Sequence, residues 1–296
     1  MKRAYTYSII IPAKNESLNL CDLLPRLVEE CLGAEIIVVN DGSEDRTSDL
    51  CVQYDVKEIR HQYSKGNGAA IKAGARAALG EIFVFMDGDG QHNPKEIVTL
   101  LDKLDEGYDM VVGARSSSSQ ASVVRWVANS VYNKLATFMV GHKVDDLTSG
   151  FRVVRAEKFR EFIYLLPNGF SYPTTSTMAF FRAGYSVGYH PITALKREGK
   201  SHINLIKDGV RFLLIIFKVG TLYSPLKLFT PISALFFSLG LSYYAYTFWS
   251  VGRFTNMSAL LFSTSLLIFL MGLVSEQITM LLYSGSHKES TNKNSD

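Results

Sequence analysis

IFVFMDGDGQHNP, residues 82–94, is the stretch on which the fold turns. Ile82–Met86 carries five apolar residues with no polar alternation, the pattern of a strand covered on both faces of a sheet. Two carboxylates, Asp87 and Asp89, follow at once, spaced by Gly88 and Gly90. Pro94 then opens a helical stretch to Asp105, in the first turn, where proline's missing N–H is no loss. A buried strand, an acidic glycine turn and a helix make up the repeating unit of a parallel α/β sheet. In such sheets ligands bind outside the carboxyl ends of the strands.

The same alternation extends in both directions. Strands are expected at Tyr7–Ile11, Glu35–Asn40, a weaker Lys57–His61, and Met110–Gly113. Helical spacing of apolar residues covers Ser17–Leu32, Arg46–Gln53 and an Ala-rich Asn67–Leu79. The fold class is therefore α/β, Rossmann-like, a mostly parallel sheet with helices on both faces. Beyond a serine-rich segment, Ser116–Ser122, the pattern loosens. Helices are expected over Val123–Val140, Ala156–Leu165 and Thr177–Ala183, with strands at Phe151–Val154 and Val187–Ile192.

Near residue 225 the composition breaks. Leu228–Trp249 and Met257–Leu282 are two long apolar runs, each able to cross a hydrocarbon core of about 30 Å as a helix. The linker between them is short, so a helical hairpin is expected. Glu276 lies inside the second run, where a carboxylate is expensive; its role is left open. Between Lys196 and Lys227 stand seven Lys/Arg and two acids, whereas the inter-helix linker offers only Arg253. The positive-inside rule places the first domain and the C-terminus in the cytoplasm. Lys207, Arg211 and Lys218 share one helix face, which fits an interfacial amphipathic helix. The domains read as residues 1–203, an interfacial helix at 204–224, a membrane hairpin at 225–284 and a polar tail at 285–296. The start, MKRAYTYSIIIPAKNE, lacks the apolar core of a signal peptide. Three cysteines without paired spacing argue against a disulfide framework. A net charge of +3 is too small to suggest a nucleic-acid partner. A homo-oligomer is left open.

The polar residues cluster at strand ends. Asp87 and Asp89 in a glycine-flanked loop are hard oxygen ligands suited to Mg²⁺ or Mn²⁺, with Gln91 as a further oxygen and His92 as an imidazole candidate. Asn40–Thr47, NDGSEDRT, offers Asp41 and Ser43 to a ligand, or else forms a turn and helix cap. Pro12, Asn15 and Glu16 end the first strand. Lys65–Gly68, KGNG, precedes a helix whose backbone amides could approach a phosphate. Neither a P-loop nor a G-x-G-x-x-G fingerprint is present, which disfavours NTPases and NAD enzymes.

PAKNE, NDGS, DGDGQH and DLTSGFR together resemble a family 2 glycosyltransferase of the GT-A fold. With REGKSH, the basic helix and the two spans, the chain is similar to the polyprenyl-phosphate sugar transferases. These include dolichyl-phosphate mannose synthase and undecaprenyl-phosphate glucosyltransferases. The resemblance implies an EC 2.4.1-type hexosyltransferase. It would use Mg²⁺ or Mn²⁺ to move a sugar, with inversion, from a GDP-mannose- or UDP-glucose-type donor to a polyprenyl phosphate. It implies nucleotide-sugar contacts at Pro12, Ala13, Asn15, Glu16, Asp41, Ser43, Lys65, Gly66, Asp87, Gly88, Arg197, Lys200 and Ser201. Asp87, Asp89 and Gln91 match the metal site. Asp89, Arg115, Arg125 and Asp146 match catalytic positions, and Arg115, Arg125, Asn129, Ser149 and Arg152 the lipid-phosphate site. Gly88 and Gly90 depart from the alanine and leucine of many relatives.

A phosphate monoester with a second pKa of about 6 is largely ionised at neutral pH, so the acceptor needs no strong general base. Positioning and charge stabilisation then carry the reaction. Asp146 orients a sugar hydroxyl or caps the turn before Thr148. Two alternatives stand beside this: a processive polysaccharide synthase, disfavoured by the missing Q-x-x-R-W motif, and a non-catalytic sugar-nucleotide-binding membrane protein.

Overall fold

The computed structural model describes residues 5–115, 123–169, 172–193, 217 and 220–292, with the backbone alone for 123–129 and 282–292. The chain divides into two compact units: Met1–Phe138 with His142–Ile203, and Met139–Gly141 with Asn204–Asp296.

The first unit is built on a seven-stranded sheet in the order β3-β2-β1-β4-β6-β5-β7. The strands are β1 (Tyr7–Ala13), β2 (Glu35–Asn40), β3 (Lys57–Arg60), β4 (Ile82–Phe85), β5 (Met110–Arg115), β6 (Arg152–Arg155) and β7 (Val187–Ile192). All neighbours pair in parallel except β6, which runs antiparallel to both β4 and β5. The helices are α1 (Ser17–Glu30), α2 (Thr47–Gln53), α3 (Asn67–Ala77), α4 (Glu96–Asp105), α5 (Val123–Val140), α6 (Ala156–Arg160) and α7 (Tyr172–Arg182). The expected fold class is borne out, with β2, α5 and β7 at the expected bounds. Helix α7 starts five residues earlier than expected, because Pro173 falls in its first turn, where proline is tolerated. The helix expected over Ala156–Leu165 is split into α6 and a short 3₁₀ turn at Ile163–Leu165.

Alternation along β1 sets the two layers. Ile9 and Ile11 join Leu20, Leu24 and Leu27 of α1 and Leu100 and Leu104 of α4 in one buried cluster. Ile10 faces the other way. Its side chain touches Gly74 of α3 so closely that a Cβ there would collide with it. On that second face Phe83, Phe85, Phe159 and Tyr172 pack at centroid distances of 4.7–6.1 Å. Burial pushes the Cys31 and Cys51 thiols up to about 11, so both behave as apolar core residues rather than nucleophiles.

In the second unit, α8 (Pro225–Val251) and α9 (Asn256–Asn292) form the expected hairpin, and both are long and apolar enough to cross a membrane. Their contact face is a row of small residues at seven-residue steps. Ser233, Gly240 and Thr247 lie on α8, and Ser258, Ser265, Gly272 and Thr279 on α9. Small side chains let the backbones approach, which is how helices associate where lipid removes the hydrophobic drive. Ser233 Oγ donates to Ser265 O and Ser265 Oγ to Ser233 O, both at 2.9 Å. Glu276 Oε2 accepts from the Leu226 N–H at 3.5 Å, at the open N-terminus of α8. Helix α9 continues to Asn292, so the polar stretch expected as a tail from 285 is helical up to that residue. Most of the interfacial helix expected at 204–224, with Lys207, Arg211 and Lys218, lies outside the described residues.

Candidate active site

The parallel strands β1, β2, β4 and β5 end at one edge, and β6 begins there because it runs the other way. Hydrogen bonds fix the order of the loops along that edge. The Asp41 N–H donates to Ala13 O at 2.8 Å, which places the β2 end beside the β1 end. A Cβ on Gly88 would lie 3.2 Å from Pro12 O, so the DGDG turn leans on β1. On its other side the Asp87 carboxylate packs against Gly150, where any Cβ would collide with it. The Gly113 N–H donates to Phe151 O at 2.9 Å and brings the β5 end, with Arg115, alongside.

Asp87 and Asp89 leave β4 together and stay partly exposed. Asp89 Oδ1 accepts from the Gln91 N–H at 3.2 Å, which tightens the turn. His92 is buried and turned inward. Its ring stacks on Phe151 with centroids 4.9 Å apart, and Nε2 lies 3.7 Å from Asp87 Oδ2. It therefore backs Asp87 from beneath. Among the described residues no group of three or more His, Cys, Asp or Glu converges on one point. The donors at the edge are the Asp87 and Asp89 carboxylates, with the Gln91 backbone bonded to the second of them. That suits a hard ion such as Mg²⁺ or Mn²⁺, which keeps waters and completes its shell with substrate phosphates.

Arg115 and Asp146 form a bidentate pair: Nε donates to Oδ2 at 2.8 Å and Nη2 to Oδ1 at 3.0 Å. Nη2 also reaches Thr148 Oγ1 at 2.6 Å. The same carboxylate accepts the N–H groups of Arg115, Thr148 and Ser149. Burial pushes the Asp146 carboxyl up, but the Arg115 guanidinium and these N–H groups outweigh it and hold its pKa below the usual range. Burial likewise opposes the Arg115 charge, and Asp146, Asp87 and Asp89 outweigh it and raise its pKa. Of the two roles open to Asp146, the structure shows the turn cap, with the orientation of Arg115 added. Nη1 of Arg115 has no partner among the described residues.

At the other end of the edge, Asp41 is buried and fully engaged. It accepts from His61 Nδ1 at 2.6 Å, Ser64 Oγ at 2.8 Å, the Lys65 N–H at 2.9 Å and the Gly66 N–H at 2.8 Å. Burial alone would raise its carboxyl, yet these donors hold it down at about 2. Asn15, in the left-handed region at φ 54°, is stitched to the next loop. Its N–H donates to Ser43 Oγ and its Oδ1 accepts from the Glu44 N–H, both at 3.0 Å. Asp45 adds an acceptor for the Ser17 N–H at 2.8 Å. Glu16 accepts from Asn19 Nδ2 at 2.5 Å, next to the DGDG turn. Asp41, Asn15 and Ser43 thus build the edge through their side chains, and Pro12 and Ala13 line it with backbone.

Two expectations are corrected. The KGNG amides of Lys65, Gly66 and Gly68 are not available to a phosphate. Lys65 and Gly66 donate to Asp41, while the Gly68 and Ala69 N–H groups donate to Gly169 O and Asn168 O. Both Gly66 and Gly68 are required because segment 167–169 lies against their α-carbons. Lys65 keeps an exposed side chain, 5.7 Å over the Tyr63 ring. Second, Arg152 does not reach a lipid phosphate, because it is 0% exposed and its Nη1 and Nη2 donors are taken up inside the protein. Ser149 is also buried, at 1% exposed. The side chains of Arg125 and Asn129, and Arg197, Lys200 and Ser201, lie outside the described residues. Sequence reasoning missed Asp45, His61 and Thr148. The first and last sit inside motifs already singled out, whereas His61 carried no local signal.

With the geometry in place, comparison with known proteins is direct. The profile of Glycosyl transferase family 2 matches residues 8–163, and that of the GtrB C-terminal hairpin matches residues 224–281. The polyprenol monophosphomannose synthase of Mycolicibacterium smegmatis is 32% identical over 206 residues, 64% of this chain and 77% of that one. The glycosyltransferase AglJ of Haloferax volcanii is 27% identical over 288 residues, 92% of this chain and 93% of that one. Glucosyl-3-phosphoglycerate synthase of Mycobacterium tuberculosis, solved with Mn²⁺, UDP-glucose and phosphoglyceric acid, superposes with a TM-score of 0.59 at 19% identity. It covers 73% of this chain and 79% of that one, a likeness of fold.

Proposed function

The chain belongs to glycosyl transferase family 2, and from that premise we propose that it transfers a hexose from a nucleotide-sugar to a membrane polyprenyl phosphate, with inversion at the anomeric carbon. One observation carries this: the Asp87/Asp89 turn stands beside the paired Arg115–Asp146 at the sheet edge, in a chain that also carries the GtrB-type hairpin. The names of the relatives, which act on polyprenol and dolichol phosphates, support the acceptor class.

In this proposal Asp87, Asp89 and Gln91 hold the divalent ion. Bound there, it would supply positive charge to the leaving nucleoside diphosphate. Pro12, Ala13, Glu16 and Gly88 line the nucleotide side of the edge, with the Lys65 side chain at its rim. Asp41, Asn15 and Ser43 keep that side in shape. Arg115, aimed by Asp146, presents Nη1 to a phosphate oxygen, and the family resemblance alone assigns Arg125 and Asn129 to the acceptor phosphate. Arg197, Lys200 and Ser201 are assigned to the donor diphosphate by the family resemblance alone. The acceptor phosphate is already ionised, so its oxygen attacks without a protein base. The protein's contribution is alignment and preorganised charge. The excess of basic residues before α8 in the sequence supports a cytoplasmic first unit.

The test is transfer by purified protein in detergent. Undecaprenyl or dolichyl phosphate is supplied with Mg²⁺ or Mn²⁺ and, separately, GDP-mannose, UDP-glucose and UDP-N-acetylglucosamine. Metal-dependent sugar-lipid product, lost in Asp89→Ala, is expected and identifies the donor. No lipid product from any donor, with nucleotide binding intact, would overturn the acceptor assignment.

A further inference from the structure

Arg152 opens β6 and is fully buried, yet everything it touches is neutral. Nη1 donates to Pro173 O at 2.9 Å, Ser176 Oγ at 2.9 Å and Thr177 Oγ1 at 3.0 Å, and it lies 3.8 Å from Met110 Sδ. Nη2 donates to Ser149 O. Nε has no partner. Among the described residues no carboxylate lies within ion-pair distance of this guanidinium. The sequence PTTST at the start of α7 supplies the cradle, with Thr174, Thr175, Ser176 and Thr177 all buried.

A guanidinium does not lose its proton in a protein. Buried cations are ordinarily matched by an acid, because an unmatched one is strongly unfavourable. Here hydroxyls and carbonyls solvate the group without cancelling its charge, so the charge acts on its surroundings. Register shows what those surroundings are. Arg152 pairs with Phe85 across β4 and β6. Two residues beyond the end of that ladder on each strand, Asp87 and Gly150 are in contact. One such step along a strand is about 7 Å, and through the protein interior a charge is felt at that range far more than through water.

We infer that Arg152 is a positioning residue whose uncancelled charge sets the electrostatic balance at the Asp87/Asp89 edge, favouring the anionic diphosphate and restraining the affinity for the divalent cation. This rests on the ligand classes assigned to the edge above. Because Arg115 is neutralised by Asp146, the buried charge offsets the two strand-end carboxylates when the diphosphate arrives. It also keeps the empty edge from holding a cation too tightly before the donor binds.

The electrostatic signature is a pair of shifts of opposite sign. Full-length protein in detergent is titrated with Mn²⁺ alone, read by the paramagnetic signal of free Mn²⁺, and with UDP and GDP in the absence of metal, read by calorimetry. In Arg152→Met, Mn²⁺ is expected to bind about tenfold tighter and the diphosphate about tenfold weaker. Arg152→Lys keeps the charge but not the fork, and should stay within about threefold of the parent for both ligands. Thr177→Asp leaves the arginine in place and gives it the missing counter-charge, so it should shift both ligands as Arg152→Met does. This variant serves if the methionine protein does not fold. Affinities for cation and anion that fall together in the charge-cancelling variants, or a lysine variant that behaves like methionine, would overturn the inference and leave the proposed function standing. A parent protein that binds neither Mn²⁺ nor nucleotide would overturn both.

Discussion

Asp41→Asn separates two roles for the residue at the β2 end. The resemblance implies a contact with the nucleoside, whereas the structure shows a carboxylate spent on its own protein. Oδ1 accepts from His61 Nδ1 and the Lys65 N–H, and Oδ2 from Ser64 Oγ and the Gly66 N–H. An amide keeps one oxygen and turns the other into a donor. Whichever way it sits, one backbone N–H loses its acceptor and faces another donor. At about 1–3 kcal/mol for each buried group left unpaired, with the Ser64 hydroxyl free to rotate, the net loss is about 2–4 kcal/mol. For a unit of this size that is a fall in Tm of about 5–15 °C. The pKa gives an independent figure. A carboxyl lowered from 3.8 to about 2 stabilises the fold by about 2 kcal/mol at neutral pH. Because the folded value is the lower one, this stabilisation is complete above the unfolded pKa and fades as pH falls from about 4 towards 2. The parent–variant gap should therefore narrow in acid. The assay is thermal unfolding of purified full-length protein from about pH 2 to pH 7.5, with nucleotide titration at neutral pH. An unchanged Tm with nucleotide affinity destroyed would refute the loop-building role and restore the direct contact.

Three further outcomes are expected. Asp146→Asn should release Arg115 and lower transfer by about 10²-fold, with diphosphate binding retained, as single-turnover rates and nucleotide titration would show. Gly68→Ala should force segment 167–169 away from α3, lower stability by about 1–3 kcal/mol and expose that segment to limited proteolysis. If the KGNG amides held phosphate instead, the same change would spare stability and weaken nucleotide binding. Gly240→Leu should spread the hairpin, because even a Cβ at 240 lies 3.2 Å from Leu261 and Phe262. Disulfide formation in S233C/S265C, whose parent serines bond each other directly, should then slow several-fold.

Local signals carried most of the first unit's architecture. The apolar runs at Ile9–Ile11, Ile36–Val39 and Ile82–Met86 are strands because nothing else buries such short stretches on two sides. The acids that follow them fall at the ligand edge because of that. The direction of β6 could not be read, since Arg152–Arg155 is four residues long and no period distinguishes parallel from antiparallel pairing. The glycines of KGNG were legible as glycines but not for their reason, which is the approach of segment 167–169 from a hundred residues downstream. Arg152 misled for a related cause. The family resemblance set it at the lipid phosphate, whereas the hydroxyl run of α7, brought in by the tertiary fold, makes its burial tolerable. In the second unit the spans were plain from hydropathy, whereas the seven-residue rhythm of Ser233, Gly240 and Thr247 lay hidden under the apolar average.

The reversed strand has an architectural consequence. In a wholly parallel sheet every loop at the carboxyl edge is an exit, tied to the strand it leaves and the helix it must start. Strand β6 supplies an entrance instead: residues 141–150 come to the edge from α5 and only afterwards join the sheet. That segment can lengthen, shorten or change its polar residues while β4 and β5 keep their pairing to β6. The wall holding Asp146 and Thr148 is thus a replaceable insert in a fixed frame, and changes of acceptor or sugar among proteins built on this plan should concentrate there before they touch the strands.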